Sequence, residues 1–341
     1  MNGEEQLVET ESSSFVSMRK VSLFVIFGIL VYIVMGLIIG FEEIILALVL
    51  IPWWVIPLMM GLSFLNYLIR YVKWQYYLRR IDVNLKHTDS FSIFLAGFTL
   101  TATPGKVGEA VKGVFINQLN GTRVAKTVPV VISERVTDLL AMIILAVMGF
   151  LIGFTATDQI YLVLFIGVAA LVGAVILGNS AFYTKILTRM TSFGPLKRFQ
   201  NDMDIIEDTM TKTLSPKPMA VSATISVPGW FMECLELWLL LSILSGAGLP
   251  TLTYGSLILL AQATFIHAAA SSVGAIMFTP GGIGGYEGVS GILIVMIGFS
   301  QAIAGVATIL IRFVTLWFSV LVGFVALAIV ERRRKRNLHQ T

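Results

Sequence analysis

Two long apolar stretches, each interrupted near its middle by a Thr-Pro-Gly sequence, constrain this chain more than any other feature in it. The interruptions fall at Thr103-Pro104-Gly105 and at Thr279-Pro280-Gly281-Gly282, within the stretches 88–119 and 253–298. Six unbroken apolar runs accompany them, at about 21–40, 44–68, 128–154, 159–178, 220–247 and 303–330. A run of about 20 apolar residues is what crosses roughly 30 Å of hydrocarbon. No water-soluble core hides so many of them, and only 13% of the residues are charged, against about 25% in soluble domains. The chain reads as an all-α polytopic membrane protein.

The basic residues give it an orientation. Arg70, Lys73, Arg79, Arg80 and Lys86 fall in 69–88, and Lys185, Arg189, Lys197, Arg198, Lys212 and Lys217 in 179–219. Arg332, Arg333, Arg334, Lys335 and Arg336 close the chain, with Arg19, Lys20, Arg123 and Lys126 elsewhere on the same side. These are 20 of the 24 basic residues, and the opposite loops hold none. Cytoplasmic loops carry such an excess, so both termini are expected in the cytoplasm and the protein in the cell membrane. A net charge of +4 then describes loops on an anionic leaflet rather than a nucleic-acid footprint. The expected organisation is a polar tail at 1–20, which is not a cleavable signal peptide, one transmembrane domain at 21–330, and a basic tail at 331–341.

With both flanks of 88–119 on the cytoplasmic side and both flanks of 253–298 outside, each broken stretch enters and leaves on one face. The predicted architecture is about six full spans plus two re-entrant helical hairpins; for 253–298, two full crossings remain the alternative. The hairpin tips resemble each other, sharing T-P-G-x-[VI]-G and then a glutamate, Glu109 or Glu287. Arg135 follows Glu109 by 26 residues and Arg312 follows Glu287 by 25. Since the hairpins enter from opposite faces, the segments 88–154 and 253–330 form an inverted repeat, an architecture of secondary transporters with midplane sites.

Backbone broken at membrane depth must be buried in protein or line a polar cavity. A half-helix restarts at about Lys106 and about Gly284, and its N-terminal N–H groups suit an anion. A kink with satisfied carbonyls is the plainer reading. Arg135 and Arg312 are costly inside a span and so call for a partner or a role. Glu134 and Asp138 flank Arg135, and symmetry pairs Glu109 with Arg135 as Glu287 with Arg312. Guanidinium groups grip phosphate at two points. The arginines therefore either bind a substrate phosphate, with Lys106, Gly105, Gly281 and Gly282 beside them, or fix the hairpins through ion pairs. Glu233 and Glu236 share a helix face with Trp230, as proton carriers or as paired packing contacts. His267 stands alone among small residues and reads as tight helix packing. One cysteine, no clustered metal ligands and no Walker A loop leave no metal, cofactor or ATP site expected.

The T-P-G-K-V-G-E motif, E-R-x-T-D at Glu134 to Asp138, and T-P-G-G-I-G-x-x-E followed by the span of Arg312 resemble the lysylphosphatidylglycerol synthase/flippase transmembrane family. This is the membrane half of the multiple-peptide-resistance-factor proteins, and the resemblance covers about 20–330. It implies movement of lipids between leaflets. The soluble aminoacyl-transferase part is not expected in this chain, so lipid aminoacylation is not either. The function expected is a lipid translocase, with a membrane lipid as substrate and a lipid-synthesising enzyme as a conceivable partner. A transporter of a small soluble anion and a membrane-embedded lipid-modifying enzyme are the alternatives. Oligomeric state is open.

Overall fold

A computed structural model of the chain describes residues 26, 30–34, 36–37, 40–103, 107–154, 201–277 and 279–338. The predicted span 159–178 lies outside the described residues, as does most of 21–40. In order, the helices are α1 (Phe41–Val49), α2 (Val55–Arg80), α3 (His87–Ala96), α4 (Val111–Asn120), α5 (Val124–Gly153), α6 (Met203–Leu214), α7 (Pro216–Leu244), α8 (Tyr254–Ile276), α9 (Gly285–Met296), α10 (Gln301–Arg312) and α11 (Phe318–Leu338). A π-helical turn, Phe313–Trp317, joins the last two. No strand occurs among the described residues. Five helical stretches are long and apolar enough to cross a bilayer: Val55–Arg80, Val124–Gly153, Pro216–Leu244, Tyr254–Ile276 and Gln301–Arg333. The protein is an all-α polytopic membrane protein.

The expected span 44–68 needs correction. Helix α1 stops at Val49, and Pro52 disfavours helix in the residue before it. Helix α2 then begins at Val55 and continues through the segment read as a cytoplasmic loop. Arg70 and Lys73 are therefore buried helix residues, not loop charges. Only Arg79, Arg80 and Lys86 stand at or past its end. The sequence-based orientation loses two of its basic residues.

The first broken stretch folds as two short arms. Helix α3 runs into a 3₁₀ turn at Gly97–Leu100, and a second 3₁₀ turn at Val107–Ala110 leads into α4. Each arm is about half the length of a crossing. The second stretch is lopsided. Helix α8 has 23 residues while α9 has 12, about 18 Å. Length alone would let α8 cross, but it packs antiparallel on α5, with Gly153 against Gln262 and Gly149 against Phe265. Its C-terminal end thus comes level with Arg135 to Asp138, in the middle of α5, and the turn lies inside the bundle.

Glycine makes this packing possible. A Cβ at Gly149 would fall 2.6 Å from Ala261 O and Phe265 N, both backbone atoms that cannot step aside. Gly149→Ala is expected to cost about 1–3 kcal/mol, the range for an overpacked core. Denaturation of the purified protein in detergent measures it, and wild-type stability would mean that α5 and α8 separate freely. On the other flank, a Cβ at Gly323 in α11 would collide with Thr99 N, so the first hairpin lies directly against α11. Helix α6 is amphipathic and buries Ile206, Met210 and Leu214 with Ala125 of α5 rather than facing lipid.

Candidate functional site

The sequence of each hairpin tip dictates how it turns. At the second tip, Gly281, Gly282 and Gly284 take φ of +60°, +72° and +90°, a region other residues avoid. The turn is closed by Gly282 N–H donating to Thr279 O at 3.0 Å. Helix α9 then starts at Gly285, and Glu287 reaches back to accept the Gly284 N–H at 2.7 Å. The chain's own carboxylate thus takes one of the N–H groups that the sequence left open for an anion. At the first tip, Gly108 N–H donates to Thr103 Oγ1 at 2.9 Å, and that hydroxyl donates to Leu100 O. Pro104, Gly105 and Lys106 lie outside the described residues, so the predicted roles of Gly105 and Lys106 find no test here.

Behind each tip stands a glutamate with an arginine. Arg312 Nε donates to Glu287 Oε1 at 2.9 Å, and its Nη2 donates to Gly281 O. One guanidinium thus holds both the start of α9 and the tip before it. In the first half, Arg135 Nη2 donates to Glu109 Oε2 at 3.2 Å, while Thr101 donates to the other oxygen of Glu109 at 3.1 Å. Each arginine lies about 17 Å along its helix from the N-terminus, at 1.5 Å per residue.

Asp138, one turn beyond Arg135, draws in what the sequence placed elsewhere. Lys73 of α2 donates to its Oδ1 at 2.5 Å, and Ser226 of α7 donates to the same oxygen at 3.0 Å. Arg135 and Arg70 stand 3.4 Å and 3.7 Å from Oδ2. Glu134 points the other way, toward Lys112 of α4 at 2.6 Å. The Lys112 ammonium also rests 4.5 Å from the centroid of the Trp74 ring. Arg70 is held between rings, 5.3 Å from that of Phe98 and 5.7 Å from that of Trp230. Its Nε, like the Nε of Arg135 and the Thr279 hydroxyl, is buried with no hydrogen-bond partner among the described residues.

On the far side, Glu233 accepts from Asn66 Nδ2 and sits 3.1 Å from His267 Nε2. His267 Nδ1 is 3.0 Å from the Tyr286 hydroxyl. Glu236, which shares a helix face with Glu233, instead accepts from Ser63 at 2.8 Å. His267 is thus a bridge between helices, not the isolated packing residue expected from its small neighbours.

These parts enclose one cavity of about 350 Å³. Arg135, Arg312 and Arg70 line it, with Thr101, Thr103, Thr279, Gly281 and Gly282 from the two tips. Asp138, Glu233, His267, Trp230 and Tyr286 complete its polar and aromatic wall. The arginine side chains differ in access, 22% exposed for Arg135 and 9% for Arg312. Of the residues singled out in the sequence, Arg135, Arg312, Gly281, Gly282, Asp138 and Glu233 face the cavity; Glu109 and Glu287 back the arginines; Glu134 and Glu236 face away. Arg70, Lys73, Lys112, His267 and Tyr286 were not anticipated. Three of them are basic residues in helices, and that alone was a signal.

The volume is at the small end of ligand pockets, which run from about 300 to 1,000 Å³. Among the described residues no cluster of three metal-ligating side chains occurs.

Comparison with known proteins places the chain in a family. Residues 25–323 match the family model described as the lysylphosphatidylglycerol synthase TM region. A UPF0104 membrane protein of Pyrococcus horikoshii is 26% identical over 276 residues, which span 76% of this chain and 82% of that protein. A UPF0104 membrane protein of Methanothermobacter thermautotrophicus is 23% identical over 338 residues, 91% of this chain and 95% of that one.

Proposed function

The chain belongs to the lysylphosphatidylglycerol synthase transmembrane-region family, and from that premise we propose that it is a lipid translocase rather than an enzyme. A phosphate-bearing head group, of a phospholipid or a polyprenyl-phosphate-linked species, enters the cavity while its tails stay in the bilayer. Arg135 and Arg312 take the phosphate. Glu109 and Glu287 hold the two guanidinium groups when the site is empty, so the arginines are neutralised in both conditions. The two halves, related as an inverted repeat, rock around the cavity and expose it to either leaflet in turn. The protein sits in the cell membrane with both termini in the cytoplasm, and no ATP drives it.

One observation carries this reading. Two arginines from different halves of the chain, each tied to the glutamate of its own hairpin tip, line a single cavity. A buried ion pair is weak support for stability, so fixing a hairpin is by itself a poor reason to keep two arginines on a cavity wall. The test is leaflet exchange in proteoliposomes. Fluorescent phospholipid and, separately, fluorescent polyprenyl phosphate are reconstituted with the purified protein, and a membrane-impermeant quencher reports the outward-facing fraction. Exchange of one of them well above that of protein-free vesicles is the expected result. Exchange of neither, with accumulation of a water-soluble organic anion instead, would move the function to soluble transport.

A further inference from the structure

The geometry points to a coupling ion: Glu233 and His267 form a proton-binding pair on the wall of the translocation cavity, and one proton moves with each anionic head group. This rests on the translocase reading above and names what drives it. Glu233 lines the cavity and is 6% exposed, and His267 lines it too. With Glu233 ionised, His267 carries its proton on Nε2 and accepts the Tyr286 hydroxyl at Nδ1, so both ring nitrogens are occupied and the imidazole is fixed. The ring of Tyr286 in turn lies 4.9 Å from the guanidinium carbon of Arg312. One ring therefore separates the proton pair from the phosphate arginine.

The neighbouring cations pair with other carboxylates. Arg135 is set against Glu109 and Arg312 against Glu287, while Lys73 and Arg70 share the single carboxylate of Asp138. Among the described residues no arginine or lysine stands within 4.0 Å of Glu233. The other titratable groups facing it are Tyr67 from α2, Tyr286 from α9, and Cys234 and Glu236 of its own helix. Glu233 instead has Asn66 on one oxygen and His267 on the other. A phosphate arriving beside the pair adds negative charge and draws a proton onto it. By linkage, a proton there strengthens phosphate binding by the same factor.

The consequence is electroneutral movement. A monoanionic head group crossing alone would be distributed about fiftyfold unequally by a potential of 100 mV. With one proton beside it, the potential has no hold, and a pH gradient sets the distribution instead. The probe is fluorescent phosphatidylglycerol in proteoliposomes carrying a gradient of one pH unit, with an impermeant reductant counting outward-facing lipid. Wild type is expected to concentrate the probe about tenfold in the leaflet on the alkaline side, the factor for one proton per lipid. In Glu233→Gln and His267→Gln the ratio returns to one, however fast the exchange. Proton uptake by the purified protein on adding dihexanoylphosphatidylglycerol in weak buffer is the second measurement, expected for wild type and lost in Glu233→Gln. Uptake without leaflet exchange sinks the translocase reading and leaves the proton pair standing. Exchange with neither gradient response nor uptake overturns the pair, as does a gradient response that survives in both variants. Absence of exchange and of uptake removes both.

Discussion

Arg312→Ala is expected to stop lipid exchange in proteoliposomes, with a loss of about thirtyfold or more. That factor corresponds to the ~2–5 kcal/mol lost when one partner of a desolvated charge contact is truncated. Arg312 serves three sites at once: Glu287 Oε1, the carbonyl of Gly281, and the cavity. Removing it also strands the Glu287 carboxylate, although the Gly284 N–H stays bonded to its other oxygen. An unpaired buried charge costs about 3–5 kcal/mol, so the single variant loses stability as well as transport. The double variant Arg312→Ala with Glu287→Gln separates the two effects, since it leaves no stranded charge. It is expected to regain most of the stability and none of the exchange. Arg312→Lys keeps the charge, but a single ammonium does not reproduce the planar fork, and it should recover only part of the rate. If the double variant exchanges lipid at the wild-type rate, Arg312 is a hairpin clamp and not a phosphate ligand.

What the sequence made legible was the part of this site built from local repetition. Hydropathy located α5, α7 and the α10 to α11 stretch to within a few residues, because those helices are apolar over nearly their whole length. The pairing of Arg312 with Glu287, and of Arg135 with Glu109, was readable because nearly the same spacing, 25 and 26 residues, occurs twice. Arg70 and Lys73 were misplaced because hydropathy falls where charge enters, so a helix carrying buried cations looks like a loop. Their anchor, Asp138, is 65 residues from Lys73, and no local pattern connects them. His267 failed for the same reason. Its small neighbours spoke for packing, while its partner Glu233 lies 34 residues away on another helix. The occupied N-terminus of α9 was hidden differently: a glutamate three residues into a helix is an ordinary capping arrangement, and here it also carries the arginine.

Asp138→Ala is expected to be among the most destabilising substitutions in the chain, at about 3–5 kcal/mol. Its carboxylate gathers Lys73 and Ser226 on one oxygen, with Arg70 and Arg135 near the other. Three cations from two helices thus share one anion, and α2, α5 and α7 meet on it. Lys73 is fully buried and gains nothing from water, so it bears most of the loss. Arg70 and Arg135 face the cavity and are partly relieved by it. Lys73→Met removes the worst of the stranded charge, and the double variant Lys73→Met with Asp138→Ala is therefore expected to cost less than the two singles added together. A double-mutant cycle on the purified protein, followed by denaturation in detergent, measures that coupling. Asp138→Asn should fall between alanine and wild type, because the amide oxygen still accepts from Ser226 and Lys73 but offers them no charge. Additive singles would mean that Lys73 finds another partner when Asp138 is gone, and that the three helices are joined by their apolar faces alone. The opposite outcome fixes Asp138 as the point that keeps the arginines of the first half at the cavity. Loss of anion binding in Asp138→Asn would then follow from moved arginines rather than from a missing ligand.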